Sequence, residues 1–248
     1  MRNTSSALLF RLPLAAGSVL GGCSSTAVEH GAVLVQDPRV TGSDASPYSC
    51  STCHEGIAGE RGDEILTGVP LAGVVERPSY WGGQELELLR SINACLYYFM
   101  FENKPWTADD EEARAIYAWL ESLTPRGDTR PAPFPVVYEV YDVERGETQA
   151  GEDIYRRACQ SCHGATSTGD GATVEWAPLL PEDFLDEHPD AEYTAQERRL
   201  VMIEKVRHGA FVGYSGQMPP FSQEVLSDDD LGNLLEYLGL TGPDEQSL

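Results

Sequence analysis

Apolar residues recur with helical spacing in four stretches of this 248-residue chain. Over residues 84–103, Leu88, Ile92, Cys95 and Phe99 form one stripe, and Leu89, Ile92, Leu96 and Met100 form a second that overlaps it. Ala113, Ile116, Tyr117 and Leu120 share a face of the next helix, with Thr107 as the expected cap and Asp110 three residues later. Met202 lies between Val201 and Ile203 in a third helical stretch and is expected in the core; His208, before Gly209 at its end, is expected as a capping or surface residue. Leu231, Leu234, Leu235 and Leu238 mark a closing helix that Ser227 and Asp230 begin as a capping box. An extended segment is suggested only at residues 136–143, so the pattern predicts an all-α fold.

The N-terminal stretch has a different character. Residues 1–22 carry Arg2 and Arg11, no acid, and an apolar run from Leu12 to Leu20 broken by Pro13, Gly17 and Ser18, which is the pattern of a secretory signal peptide. That run is too short to span about 30 Å of hydrocarbon. It closes on Leu20-Gly21-Gly22-Cys23, which resembles the lipobox of bacterial lipoproteins. The resemblance implies a lipid anchor on Cys23 and a membrane-anchored lipoprotein of the bacterial periplasm. Residues 23–44 show no period and are expected to be a flexible tether, with no amphipathic helix ahead of Cys50. Pro125, Pro131, Pro133 and Pro135 mark a linker at 126–146 between a first domain over 45–125 and a second over 147–248.

The formal charge is −23, and it is shared between both domains: 13 acids against 5 bases over 45–125, and 20 against 6 over 147–248. Such an excess of anions excludes a nucleic-acid backbone as partner and favours proteins that present a basic docking surface. No Gly-rich phosphate loop, Gly-x-Ser-x-Gly or His-Glu-x-x-His occurs, so nucleotide, hydrolase and metalloprotease chemistry has no support.

The chemistry lies in the cysteines. Cys50-Ser51-Thr52-Cys53-His54 and Cys159-Gln160-Ser161-Cys162-His163 are two copies of Cys-x-x-Cys-His, the attachment pattern of a c-type haem. Two thiols three positions apart on a helical turn reach the two vinyl groups of one porphyrin, and the next histidine is aimed at the iron. A thiol-redox pair or a zinc ribbon does not need the histidine twice, and the 105 residues between Cys53 and Cys159 exceed ribbon spacing. The motifs predict two covalently bound haems c, with His54 and His163 as iron ligands.

The chain resembles the cytochrome c family, and most clearly in its second half. There Gly151-Glu152-Asp153-Ile154-Tyr155 leads into the motif as the family's first helix does. Pro178-Leu179 looks like the loop that packs on the histidine, and Gly216-Gln217-Met218-Pro219-Pro220-Phe221 resembles the distal-ligand loop. The resemblance implies two tandem class I-like domains, with Met218 as sixth ligand of the second haem. A methionine followed by two prolines lies in no regular helix or strand, which sets Met218 apart from an ordinary core residue.

The first half lacks such a loop, and its sixth ligand is open between Cys95 and Met100, both on the stripes of one helix. Cys95 is the cysteine left over once Cys23 is given to lipid and the other four to haem, and an unassigned thiol in an exported protein calls for burial or coordination. Arg90-Ser91-Ile92-Asn93-Ala94-Cys95 resembles the distal-cysteine segment of diheme thiosulfate dehydrogenases, and Cys95 follows His54 by 41 residues, similar to that family's arrangement. Cys95 would then be catalytic and a small sulfur anion the substrate. The cations near it in sequence are Arg77, Arg90 and Lys104, and Leu96, Tyr97, Tyr98 and Phe99 stand where that family tends to carry a second arginine. Three functions are compatible with these features: electron transfer between periplasmic redox proteins, a thiosulfate dehydrogenase-like oxidoreductase with haem 1 as active site, and a haem subunit of a larger respiratory complex.

Overall fold

A computed structural model describes residues 24–57, 59–123, 140–210, 217–223 and 225–242. The signal-peptide and Cys23 assignments and most of the Pro-rich linker lie outside these residues. Among the described residues the fold is all-α, with an isolated antiparallel bridge between Tyr80 and Glu85 in place of any strand. In chain order the helices are α1 (Ser24–Leu34), α2 (Cys50–Cys53), α3 (Leu88–Met100), α4 (Glu111–Ser122), α5 (Thr148–Ala158), α6 (Gln160–His163), α7 (Glu182–Glu187), α8 (Ala195–His208) and α9 (Asp228–Tyr237).

Two helix crossings organise the chain, one in each half. In the second half α5 lies across α9 with Gly151 at the contact; a Cβ there would stand 2.0 Å from the Asn233 carbonyl oxygen and 2.7 Å from Tyr237 Cβ. In the first half α1 lies across α4 with Gly31 at the contact, where a Cβ would stand 2.1 Å from the Ala115 oxygen and 2.7 Å from Trp119 Cβ. Each crossing thus sets a glycine against a backbone carbonyl and against the aromatic residue four positions beyond it. Only a residue without a side chain permits such an approach.

This corrects the expectation of a flexible tether ahead of Cys50. Residues 24–34 are a packed helix, and Val35, which follows it, is buried with Val74, Tyr80, Ile116 and Leu120. The chain then returns so that the Ser51 N–H donates to the Val35 oxygen at 3.0 Å, which seats α2 against the end of α1.

Other boundaries shift for local reasons. α3 begins at Leu88 rather than 84, because Glu85 is held in extended backbone by its bridge to Tyr80. α4 is capped by Asp110, not Thr107; the Asp110 carboxylate accepts from the Thr107 N–H at 2.6 Å and hydroxyl at 3.0 Å, which closes a turn one step before the helix. The closing helix starts where expected, with the Ser227 hydroxyl accepting from the Asp230 N–H at 3.1 Å and Leu231, Leu234, Leu235 and Leu238 all buried. Each such leucine contributes on the order of 2 kcal/mol by leaving water.

Residues 140–146, assigned to the linker, are instead fastened to the second half. The fully buried Arg199 donates to the Asp142 carboxylate at 2.6 Å and to the carbonyls of Val143 and Leu240 at 2.8 and 2.9 Å. The halves also touch directly, through the Ile65 N–H on the Arg157 oxygen at 3.0 Å and Arg156 on Asp63 at 3.0 Å.

Candidate cofactor sites

Each Cys-x-x-Cys-His motif sits on a short helix whose histidine is turned by a carbonyl fifteen residues further on. His54 Nδ1 lies 2.8 Å from the Val69 oxygen, and His163 Nδ1 lies 2.9 Å from the Pro178 oxygen. A carbonyl can only accept, so the proton is on Nδ1 and Nε2 keeps its lone pair for a metal. Burial pushes both imidazoles below their usual pKa, with the carbonyl contact opposing in part, so each ring is held in the neutral form that ligates. Around His54 the fit is close: a Cβ on Gly68 would meet the ring at 2.3 Å.

His54 opens onto an apolar cavity of about 200 Å³ that Cys50 and Cys53 line on one side and Cys95, Leu96, Phe99 and Met100 of α3 on the other. Both candidates for the sixth ligand therefore face the cavity of the first motif. They differ in surroundings. The Cys95 thiol, pushed up to about 12 by burial, also feels Cys53 and Cys50. Met100 is buried among Val40, Tyr48, Leu96, Phe99 and Val174, and its carbonyl accepts from the Thr41 hydroxyl at 3.1 Å.

In the second half Cys159, His163 and Met218 line a cavity of about 60 Å³ with Leu180, Met202 and Leu234. Met202 is a core residue as expected and lines this cavity too. Met218 stands in non-helical backbone. Its segment is held from behind by α8: the Phe221 N–H donates to the Val206 oxygen at 2.9 Å, and the buried Arg207 donates to the carbonyls of Phe221 and Leu226 at 3.1 and 2.7 Å. Gly209 has φ +54°, and a Cβ there would meet Met218 O at 2.4 Å, Pro220 N at 2.6 Å and Pro219 C at 2.8 Å. His208, expected as a cap or surface group, is 4% exposed, because α8 turns its last residues into the core behind this loop.

Cys162 is the motif residue that does not line its own cavity. It packs against a cluster that Val174 forms with Val40, Tyr48, Leu96, Phe99 and Met100 of the first half. Burial raises the Tyr48 hydroxyl pKa, and Cys162 and Cys53 raise it further, which sets this buried tyrosine beside both motifs. Val69, Gly68, Tyr48, Arg207 and Gly209 are not apparent as site residues in the sequence. The last glycine has a signal, since it follows a helix and precedes the Met-Pro-Pro segment.

The donor set suits a covalently attached haem at both places: Cys50, Cys53 and His54 line the first apolar cavity, and Cys159, His163 and the Met218 thioether line the second, with Cys162 one residue before His163. It does not suit disulfide exchange, which requires a depressed thiol pKa. Burial raises Cys50 and Cys53 to about 11 and Cys159 to about 12.

Residues 146–238 match the family model described as cytochrome c oxidase, cbb3-type, subunit III. This part of the chain is a c-type cytochrome domain, with the covalently bound haem c and the redox protein partners which that implies. No curated protein matches the chain. Among solved structures it is similar to thiosulfate dehydrogenase (TsdBA) from Marichromatium purpuratum in its as-isolated form, at 16% identity and a TM-score of 0.43. The match covers 94% of this chain and 49% of that one, so the chain spans about half the length of that protein.

Proposed function

We propose that the chain, given its c-type cytochrome domain over residues 146–238, is an exported diheme cytochrome that passes electrons between periplasmic redox proteins. Haem c is held by Cys50, Cys53 and His54 in a first domain, and by Cys159, Cys162, His163 and Met218 in a second, tandem to it. The observation that carries this reading is the repeated histidine geometry, with Nδ1 on the carbonyl fifteen residues on in both motifs and an apolar cavity beyond each ring.

Bound haem supplies an iron that takes up and releases one electron. The chain's residues set how readily it does so. Val69 and Pro178 fix the tautomer of His54 and His163 and raise their basicity. The apolar walls exclude water, and the Met218 thioether favours reduced iron, which raises the potential of the second centre. At the first centre Cys95 is the favoured sixth ligand, as the cysteine in that cavity outside the attachment motif; Met100, which lines the same cavity, is the alternative.

Export and a lipid anchor on Cys23 rest on the sequence of residues 1–23. Among the described residues no helix is long and apolar enough to cross a membrane.

Cys95 in the first cavity also favours a second reading, an oxidoreductase that takes electrons from a small sulfur anion. Among the described residues no Lys or Arg lines that cavity, and Arg90 is exposed and paired with Glu85 at 3.1 Å. A dianion would meet the iron there with no cationic side chain to pair with its remaining charge. Electron transfer is therefore preferred. A redox titration followed by optical and magnetic spectra tests it: two reversible one-electron steps from low-spin centres are expected without added substrate. Turnover of thiosulfate that Cys95→Ala abolishes would establish the oxidoreductase instead.

A further inference from the structure

The segment that carries Met218 to the second cavity is also a wall of the first. Met218 lines the cavity of His163, whereas Pro219, Pro220 and Ser222 line the cavity of His54. The segment thus divides the two cavities, with Met218 on one side and both prolines and Ser222 on the other. The segment has little room to yield. Pro220, Phe221 and Ser222 are buried, and two consecutive prolines have fixed φ and no N–H to exchange for another partner. Gly209 abuts the Met218, Pro219 and Pro220 backbone, and Arg207 and Val206 hold Phe221 from the same side. A push on the prolines from the first cavity therefore has few outlets other than a displacement of Met218, because close-packed interiors transmit strain.

We propose that Pro219 and Pro220 couple the two redox centres, so that the occupancy of the first cavity sets the position of the Met218 sulfur in the second. This rests on the two-haem reading. The coupling is reciprocal, since a free energy linking two sites acts equally in both directions. It adds to the through-space field between the centres, which depends on charge and not on the prolines.

The test is a double-mutant cycle on the holoprotein. One arm removes the first attachment site (Cys50→Ala with Cys53→Ala), the other loosens the wall (Pro219→Gly with Pro220→Gly), and the midpoint potential of the second centre is read with the far-red ferric band of methionine ligation. Removing the first haem should weaken that band and shift the reduction equilibrium of the second centre at least ~5-fold, which is about 40 mV at 59 mV per tenfold for one electron. With the prolines replaced, the same removal should leave the band unaltered and cause a markedly smaller shift. An equal shift with and without the prolines, and a band indifferent to the first haem, would show a field effect alone and overturn the proposal.

Should the cysteine variant fail to mature, the proline variant alone is read at both centres; a change at the first centre with none at the second overturns the coupling. Haem content separates this from the reading beneath it. One haem per wild-type chain overturns both, whereas two haems with additive effects overturn only the coupling.

Discussion

Gly209→Ala should release Met218 from the second centre without detaching the haem. Gly209 follows α8 with φ +54° and ψ −125°, a sparsely populated conformation outside the left-handed helical region that costs alanine about 1–3 kcal/mol. The new Cβ would meet the Met218 carbonyl oxygen at 2.4 Å, where ordinary contact begins near 3.4 Å, so the loop must retreat by roughly 1 Å. Two further backbone atoms, Pro220 N at 2.6 Å and Pro219 C at 2.8 Å, block the same space, and no flexible side-chain end is there to swing away. Overpacking of this kind costs about 1–3 kcal/mol, giving a total of roughly 2–6 kcal/mol in the second domain. The Met218 side chain would have to leave its preferred rotamer to keep its sulfur in the cavity after such a retreat, and that strain would favour release from a bound iron. The ferric far-red band should be lost, the potential of one centre should fall as the soft ligand leaves, and guanidinium unfolding should shift to lower concentration. Covalent haem content should stay unchanged because Cys159 and Cys162 are untouched. A Gly209→Ala variant with the band intact and stability within about 0.5 kcal/mol of wild type would refute the claim that Gly209 seats this loop.

Gly31→Ala and Gly151→Ala should each destabilise the protein by about 1–3 kcal/mol in chemical denaturation, despite alanine's better helix propensity, because both crossings bring a carbonyl within about 2 Å of the added Cβ. A gain in stability at Gly31 would mean that α1 does not pack on α4. Cys95→Met should raise the potential of the first centre, since a thioether donates less charge to ferric iron than a thiolate, while Met100→Leu should leave the first centre's ferric spectrum unaltered; the opposite pattern assigns Met100 as ligand. Asp142 is pushed up by partial burial and pulled down further by hydrogen bonds from Gln196 and Arg199, so its net pKa lies below the usual carboxylate value. Its contribution is present above the unfolded-state value near 4 and is lost as pH falls through the lower folded value, so Asp142→Asn should destabilise at pH 7 and cost progressively less in urea titrations below pH 4.

What could be read from the sequence was whatever is decided locally. The Ser227–Asp230 box and the leucine stripe behind it place α9 correctly because cap and stripe lie within one short segment. The two motifs likewise carry thiols and histidine in five residues each. Pro178 was legible as part of a loop that packs on the histidine side, though not as the carbonyl that meets His163, whereas its counterpart Val69 was not legible at all, because nothing about a valine marks its backbone oxygen. α1 escaped notice for a tertiary reason: Val33 is 65% exposed while neighbouring Val35 is buried, and the helix is fixed by Gly31 meeting Ala115 and Trp119 more than eighty residues away. The Thr107–Asp110 pair has the spacing of a capping box and forms a turn, so it misplaced the start of α4. That Pro219 and Pro220 would face the first cavity depends on how the halves meet, which no local pattern encodes.

The claim of two haem c sites is tested most directly by the haem content of the intact wild-type chain, measured as pyridine haemochrome and as protein mass after acid-acetone extraction. Two haems per chain that resist extraction are predicted, falling to one in Cys50→Ala/Cys53→Ala and to one in Cys159→Ala/Cys162→Ala. A wild-type chain that carries a single haem, or that loses its haem to the solvent, would contradict the account.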